Sequence, residues 1–153
     1  MTQTTEAVSH SVLVPLAPDA AFRLFTERFG EWWPKDGHHI LEGDDVEVFL
    51  EVREGGRWHE RRPDGAECDW GFVKEVDPPG RILIAWHLTP EWEFDPDPAK
   101  ATEVEVTFDS EGEGTRVTLE HRGFEVHGES GAEMRASVDS GWPSLLALLR
   151  DAA

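Results

Sequence analysis

The chain has 153 residues with 32 acidic against 14 basic side chains, a formal net charge of −18. That length suits one domain, and that charge repels phosphate backbones and anionic bilayers, so neither a nucleic acid nor a membrane is an expected partner. One cysteine, Cys68, rules out an internal disulfide; the start, MTQTTEAVSHS, lacks the basic and apolar parts of a secretion signal, and no stretch approaches the roughly 18 apolar residues of a membrane span, so the cytoplasm is the expected location.

Residues 1 to about 8 are polar and expected to be mobile, followed by a single domain over 9–153. Val8, His10, Val12 and Val14 alternate, predicting a first strand that Pro15 ends. Ala17-Pro18-Asp19 opens a helical region in which Phe22, Phe25 and Phe29 share one face; Gly30 interrupts it and Glu31-Trp32-Trp33-Pro34 closes it. A polar loop, Lys35 to Asp45, follows. Val46, Val48 and Leu50 suggest a second strand, Arg57 to Arg62 a third beyond the Gly55-Gly56 turn, and Glu67 to Val76 a fourth beyond Pro63-Asp64-Gly65. After Asp77-Pro78-Pro79-Gly80, the run Arg81 to Leu88 is continuously apolar and reads as a strand buried on both faces. Residues 90–100 form a long Pro- and acid-rich loop whose Trp92 and Phe94 could cover a cavity mouth, a role the sequence leaves open. Val104, Val106 and Phe108 alternate, Glu111 to Gly114 turns, and Val117, Leu119 and His121 alternate back. The last element, about Ser130 to Arg150, carries Met134, Val138, Trp142, Leu145, Leu146 and Leu149 at helical spacing. Pro143 marks a kink or a boundary in it, and Gly141 leaves room for a close approach.

Strands joined by short turns must pair antiparallel. The expected fold is therefore α+β: a curved antiparallel sheet of about six or seven strands round a long C-terminal helix, with two short helices after the first strand. A bent sheet and a straight helix do not pack flush, and a pocket belongs between them. The aromatic content points the same way. Seven Trp and eight Phe, with no Tyr, exceed what a small core needs, and aromatic side chains commonly line ligand cavities.

Four ordered motifs carry a resemblance: Gly55-Gly56-Arg57-Trp58-His59-Glu60-Arg61; Pro63-Asp64-Gly65 with Asp69-Trp70-Gly71-Phe72-Val73; Asp77-Pro78-Pro79-Gly80-Arg81-Ile82; and Gly114-Thr115-Arg116-Val117-Thr118-Leu119-Glu120-His121-Arg122-Gly123-Phe124, followed by Gly141-Trp142. Together they resemble the bacterial homologues of the C-terminal domain of the heat-shock-protein-90 ATPase activator, within the START-like (SRPBCC) superfamily. The resemblance spans roughly residues 9–150. It implies the helix-grip fold and a deep hydrophobic cavity, in a superfamily of lipid carriers, polyketide aromatases and cyclases, and antibiotic sequestration or resistance proteins. A chaperone partner is not expected, because the eukaryotic activator works with an additional N-terminal domain.

The expected ligand is thus a hydrophobic, aromatic or polyketide-like small molecule, held for carriage, sequestration or self-resistance. Its expected contacts are Trp33, Phe49, Trp58, Trp86, Phe108, His121, Trp142, Leu145 and Leu149. No catalytic signature is present. Should a cyclase- or aromatase-like reaction follow binding, His121 and Glu60 are the candidates to move protons. Each also has a plain structural reading: His121 as a satisfied core histidine, Glu60 as an edge residue paired with Arg62 or Arg122. His38 and His39, with Asp36, Glu42, Asp44 and Asp45, match no tight metal site and read as a solvated acidic loop; neither a metal nor a cofactor is expected.

Overall fold

The computed structural model describes residues 6–34, 41 and 45–153. Its seven strands are β1 (Val8–Val14), β2 (Glu47–Leu50), β3 (Arg57–Arg61), β4 (Glu67–Asp77), β5 (Arg81–Trp86), β6 (Thr102–Glu111) and β7 (Gly114–Arg122). They form one antiparallel sheet in the order β1-β7-β6-β5-β4-β3-β2. Short turns join β2 to β3, β3 to β4, β4 to β5 and β6 to β7, as the turn residues predict, and the long segment 87–101 joins β5 to β6. Only β1 joins out of chain order, at the β7 edge, and the excursion between β1 and β2 contains helices α1 (Pro18–Phe25) and α2 (Phe29–Trp32).

Alternation along the strands sorts the side chains. In β7, Thr115, Val117, Leu119 and His121 are buried while the residues between them are half-exposed; β6 repeats the pattern with Thr102, Val104, Val106 and Phe108. The outer side holds a cross-strand ladder of charge. Arg122 reaches Glu103, Glu105 and Glu120, Lys74 bonds Glu103 at 2.6 Å, and Arg81 bonds Glu105. Lys74 and Arg122 hold the Glu103 carboxyl below the usual range, and Arg81 and Arg122 do the same for Glu105. The central strand β5 is buried from Ile82 to Trp86, as its unbroken apolar run predicts.

The long helix α3 (Glu129–Ala152) buries Met134, Val138, Trp142, Leu145, Leu146 and Leu149 and lies against β1. His10 of β1 meets Asp139 of α3 at 2.7 Å, and Arg135 donates to the Glu6 carbonyl at 2.8 Å. The curved sheet, the terminal helix and the short helices after β1 make the helix-grip fold. Pro143 neither ends nor starts this helix, which runs nine residues past it. Gly141 does not serve a close approach: a Cβ there would meet nothing within 4 Å. The close approach is at Gly131, where a Cβ would collide with the Phe124 carbonyl. Among the described residues, no helix is long and apolar enough to cross a membrane.

Candidate functional site

Five indoles from five different elements converge on the concave side of the sheet. Trp33 comes from the end of α2, where the backbone turns extended at φ −70°, ψ 129° and sends the ring inward. Trp58 comes from β3, Trp70 from β4, Trp86 from β5 and Trp142 from α3. Trp33 lies 5.5 Å from Trp70, 6.3 Å from Trp58 and 6.1 Å from Trp142 between ring centroids. Trp58 lies 5.4 Å from both Trp70 and Trp86, and Trp86 lies 6.0 Å from Trp142. Most of these pairs are edge-to-face, the geometry the ring quadrupoles favour. All five rings are buried. The cluster packs ring against ring.

Two local features build this arrangement. A bulge between Trp58 and His59 sets one step of β3 against two of β4, since Trp58 pairs with Gly71 and His59 with Asp69. Trp70 is the extra residue, and the bulge re-aims its ring inward. Gly71 pairs with Trp58 on one side and Trp86 on the other. A Cβ at Gly71 would collide with the Ala85 carbonyl, so only glycine fits. With no side chain between them, Trp58 and Trp86 meet across it.

The polar atoms in this cluster fall into two groups. In the first, each has a partner. The Trp142 indole N–H donates to His121 Nδ1 at 3.2 Å, and Thr102 Oγ1 lies 2.8 Å from His121 Nε2. An indole nitrogen only donates, so Nδ1 is the acceptor and the ring proton sits on Nε2, pointing at Thr102. His121 is fully buried, and burial pushes its pKa down to about 3. It is therefore a neutral, doubly bonded histidine, flanked by Trp86 at 4.9 Å and Phe124 at 4.7 Å.

Glu60 is fully buried too, the one buried carboxyl group among the described residues. It accepts from the Trp70 indole at 2.5 Å and from the Leu41 backbone N–H at 2.8 Å. The expected edge position, paired to Arg62 or Arg122, is thus corrected: Glu60 shares the inward face of β3 with Trp58, while Arg62 pairs with Asp64 and Arg122 with acids of the outer ladder.

In the second group, the indole N–H groups of Trp58 and Trp86 are buried with no hydrogen-bond partner among the described residues. A buried donor left unmade costs about 1–3 kcal/mol.

The other expected contacts lie elsewhere. Phe108 is buried under α1, 5.2 Å from Phe22 and 5.9 Å from Phe25, in a cluster of phenylalanines. Leu145 and Leu149 are buried on the inner face of α3. Phe49 is corrected: on β2 it is Val48 and Leu50 that are buried, so Phe49 points the other way. It stacks on His59 at 5.2 Å, with the Arg61 guanidinium 5.2 Å above its ring. It belongs to a recess of about 470 Å³ at the β2 edge, lined also by Arg28, Glu31, Glu47 and Arg57. Trp92, held at φ 62°, is half-exposed and touches Trp86 at 6.3 Å. Phe94 does not join it, packing instead on Phe72 and His87. Cys68 is half-buried, and its thiol is pushed up to about 11 by burial and by the nearby Glu60 and Asp69, so it is no nucleophile. Residues 36, 38, 39, 42 and 44 of the acidic loop lie outside the described residues.

Trp70, Thr102 and Phe124 were not among the expected site residues. Thr102 precedes the alternating run of β6 by one period and was legible from it; Trp70 was not, because the bulge breaks the alternation that would have assigned its face.

The family profile of Activator of Hsp90 ATPase homolog 1-like proteins matches residues 15–153. The chain belongs to that family. The homologue resemblance read from the four motifs is therefore correct. Among solved structures, the chain is similar to the anthrahydroquino-γ-pyrone synthase Txn09 complexed with SUM, at 32% identity over 100% of both chains and a TM-score of 0.69. It shares its fold with CalU16 from Micromonospora echinospora, at 23% identity, 94% of this chain, 73% of that one and a TM-score of 0.60. The same holds for the Aha1 dimer from Colwellia psychrerythraea, at 17% identity, 95% and 94% coverage and a TM-score of 0.62. The comparison with curated proteins gave no match. The fold is thus shared with a protein described as an anthrahydroquino-γ-pyrone synthase and with an Aha1 dimer.

Proposed function

We propose that this chain binds a planar, aromatic, polyketide-like small molecule on the concave side of the sheet, at the indole cluster. The observation that carries the reading is the convergence of Trp33, Trp58, Trp70, Trp86 and Trp142 from five separate elements. Indoles offer wide flat faces on which another flat ring stacks in place of a neighbour. Entry would part these ring contacts, and Trp92, half-exposed against Trp86, is the residue at the surface end. The full-length likeness to a synthase of a fused aromatic pyrone supports the same ligand class. Titration with 9,10-anthraquinone and with anthracene, followed by tryptophan fluorescence and calorimetry, tests the reading. Saturable quenching by either supports it, and no response to both removes it.

A second reading, ring-closing catalysis, is favoured by that same likeness. Such a closure needs a group to take a proton from an attacking hydroxyl. His121 is unsuited, both nitrogens being engaged and its pKa pushed down to about 3. Glu60 is the buried group with a carboxylate to offer. Turnover of an anthrahydroquinone precursor to its pyrone, assayed by chromatography, should survive His121→Gln and fail in Glu60→Gln. The reverse result would remove Glu60 from the mechanism.

A further inference from the structure

We infer that Trp58 and Trp86 are oxygen readers: the molecule taken up is a neutral planar ring system that carries a carbonyl-type oxygen on the edge facing the sheet, and the two indole N–H groups donate to it. The inference rests on the binding reading above and narrows its ligand class.

The argument begins with satisfied donors. Trp70 donates to Glu60 at 2.5 Å, Trp142 to His121 at 3.2 Å and Trp32 to the Phe25 carbonyl at 3.4 Å. Against these stand Trp58 and Trp86, 1% and 5% exposed, whose N–H groups have no acceptor among the described residues. They are not scattered. Their rings meet 5.4 Å apart at an interplanar angle of 72°, on either side of Gly71, the one position in that row without a side chain. Two buried donors on rings in mutual contact call for an acceptor that the described residues do not supply.

The chemistry of the surroundings narrows that acceptor. Indole N–H groups donate only, which excludes a ligand offering an ammonium or another donor at this point. The Glu60 carboxyl group lies one ring away, on Trp70, which packs 5.4 Å from Trp58, and the chain bears a net charge of −18. An anionic carboxylate or phosphate would meet repulsion from that net charge. A carbonyl oxygen on a quinone or pyrone ring accepts strongly without a formal charge. The competing account is internal: each N–H rests on the face of a neighbouring indole, Trp58 and Trp86 being edge-to-face.

Two probes of the same skeleton separate these accounts. The intact chain, labelled with nitrogen-15, is titrated with 9,10-anthraquinone and with anthracene, following the indole N–H resonances by NMR and the affinities by calorimetry. Trp58→Phe and Trp86→Phe assign two of those resonances and remove the donors while keeping a ring. The expected result is tighter binding of anthraquinone than of anthracene, with the Trp58 and Trp86 N–H signals moving downfield with anthraquinone alone. Each substitution then weakens anthraquinone binding by about threefold to tenfold, the effect of one net hydrogen bond, and leaves anthracene within twofold. Equal affinities for the two probes with unmoved N–H signals overturn the oxygen-reader assignment and leave the binding reading standing. Absence of binding by both removes the two together. If either Phe variant loses its native circular dichroism, the two-probe comparison on the unsubstituted chain decides alone, its N–H signals assigned through backbone connectivity.

Discussion

The two ends of the concave face are both aromatic, yet they are built differently. Under α1, Phe22, Phe25 and Phe108 meet edge-to-face with no polar atom among them. Under α3 and α2, the indole nitrogens of Trp70 and Trp142 tie down the buried Glu60 and His121, while those of Trp58 and Trp86 have no partner among the described residues. The phenyl end is accounted for by burial alone. The indole end carries polar cost that burial does not require. That surplus is what distinguishes a prospective site from a core of equal density.

Substitutions test that contrast directly. Phe108→Ala removes a ring from the phenyl end and should cost about 3–5 kcal/mol in urea unfolding while the response to aromatic probes survives. Glu60→Ala should cost about 3 kcal/mol by the same measurement, because the Trp70 indole and the Leu41 N–H both lose their acceptor. A loss below 1 kcal/mol would mean that water replaces the carboxylate and that Glu60 is not sealed in. Trp142→Phe keeps most of the ring but strips His121 Nδ1 of its donor, for an expected loss of about 1–3 kcal/mol.

A pH series sharpens the same division. His121 has a folded pKa pushed down to about 3 from an ordinary 6.5, so the unfolded chain takes up a proton that the folded chain refuses. Stability from this group is fully present above about pH 6.5 and falls as pH drops towards 3, by about 1.4 kcal/mol per unit. His59 and His127, also pushed down by burial, act in the same direction. His121→Gln should therefore lower the slope of stability between about pH 6 and pH 5 by one proton while the other histidines continue to contribute. An unchanged slope would show that His121 is reached by solvent.

The smallest effect belongs to Trp58→Phe. Its N–H is already unpaired, so stability should change by about 1 kcal/mol or less in urea unfolding. If Trp58→Phe proved as costly as Trp142→Phe, the orphaned and the bonded indoles would be energetically alike and the contrast between them would collapse.

Much of this was legible along the chain. Alternation assigned the inward faces of β6 and β7, including His121, since a regular pleat leaves each residue one side or the other. The unbroken run of β5 announced a strand covered on both faces. The periodicity of α3 picked out its buried residues, but not the fact that the helix passes through Pro143 intact. The site was less legible. Phe49 was assigned inward with Trp58 although its own strand alternates the other way, as the buried Val48 and Leu50 make plain. Trp70 was missed because a one-residue bulge shifts the phase of β4 relative to β3.

By itself, the order of residues determined the strands, the turns between them, the antiparallel pairing and the amphipathic terminal helix, because each depends on neighbours a few positions apart. Only the tertiary structure decided which indoles meet, that Glu60 is enclosed while Phe49 faces outward, and that the buried N–H groups of Trp58 and Trp86 have no acceptor among the described residues. Those outcomes depend on a bulge, on a glycine pressed against a neighbouring carbonyl and on how far a helix sits from a sheet. Contacts between residues distant in sequence set all three, and no local pattern encodes them.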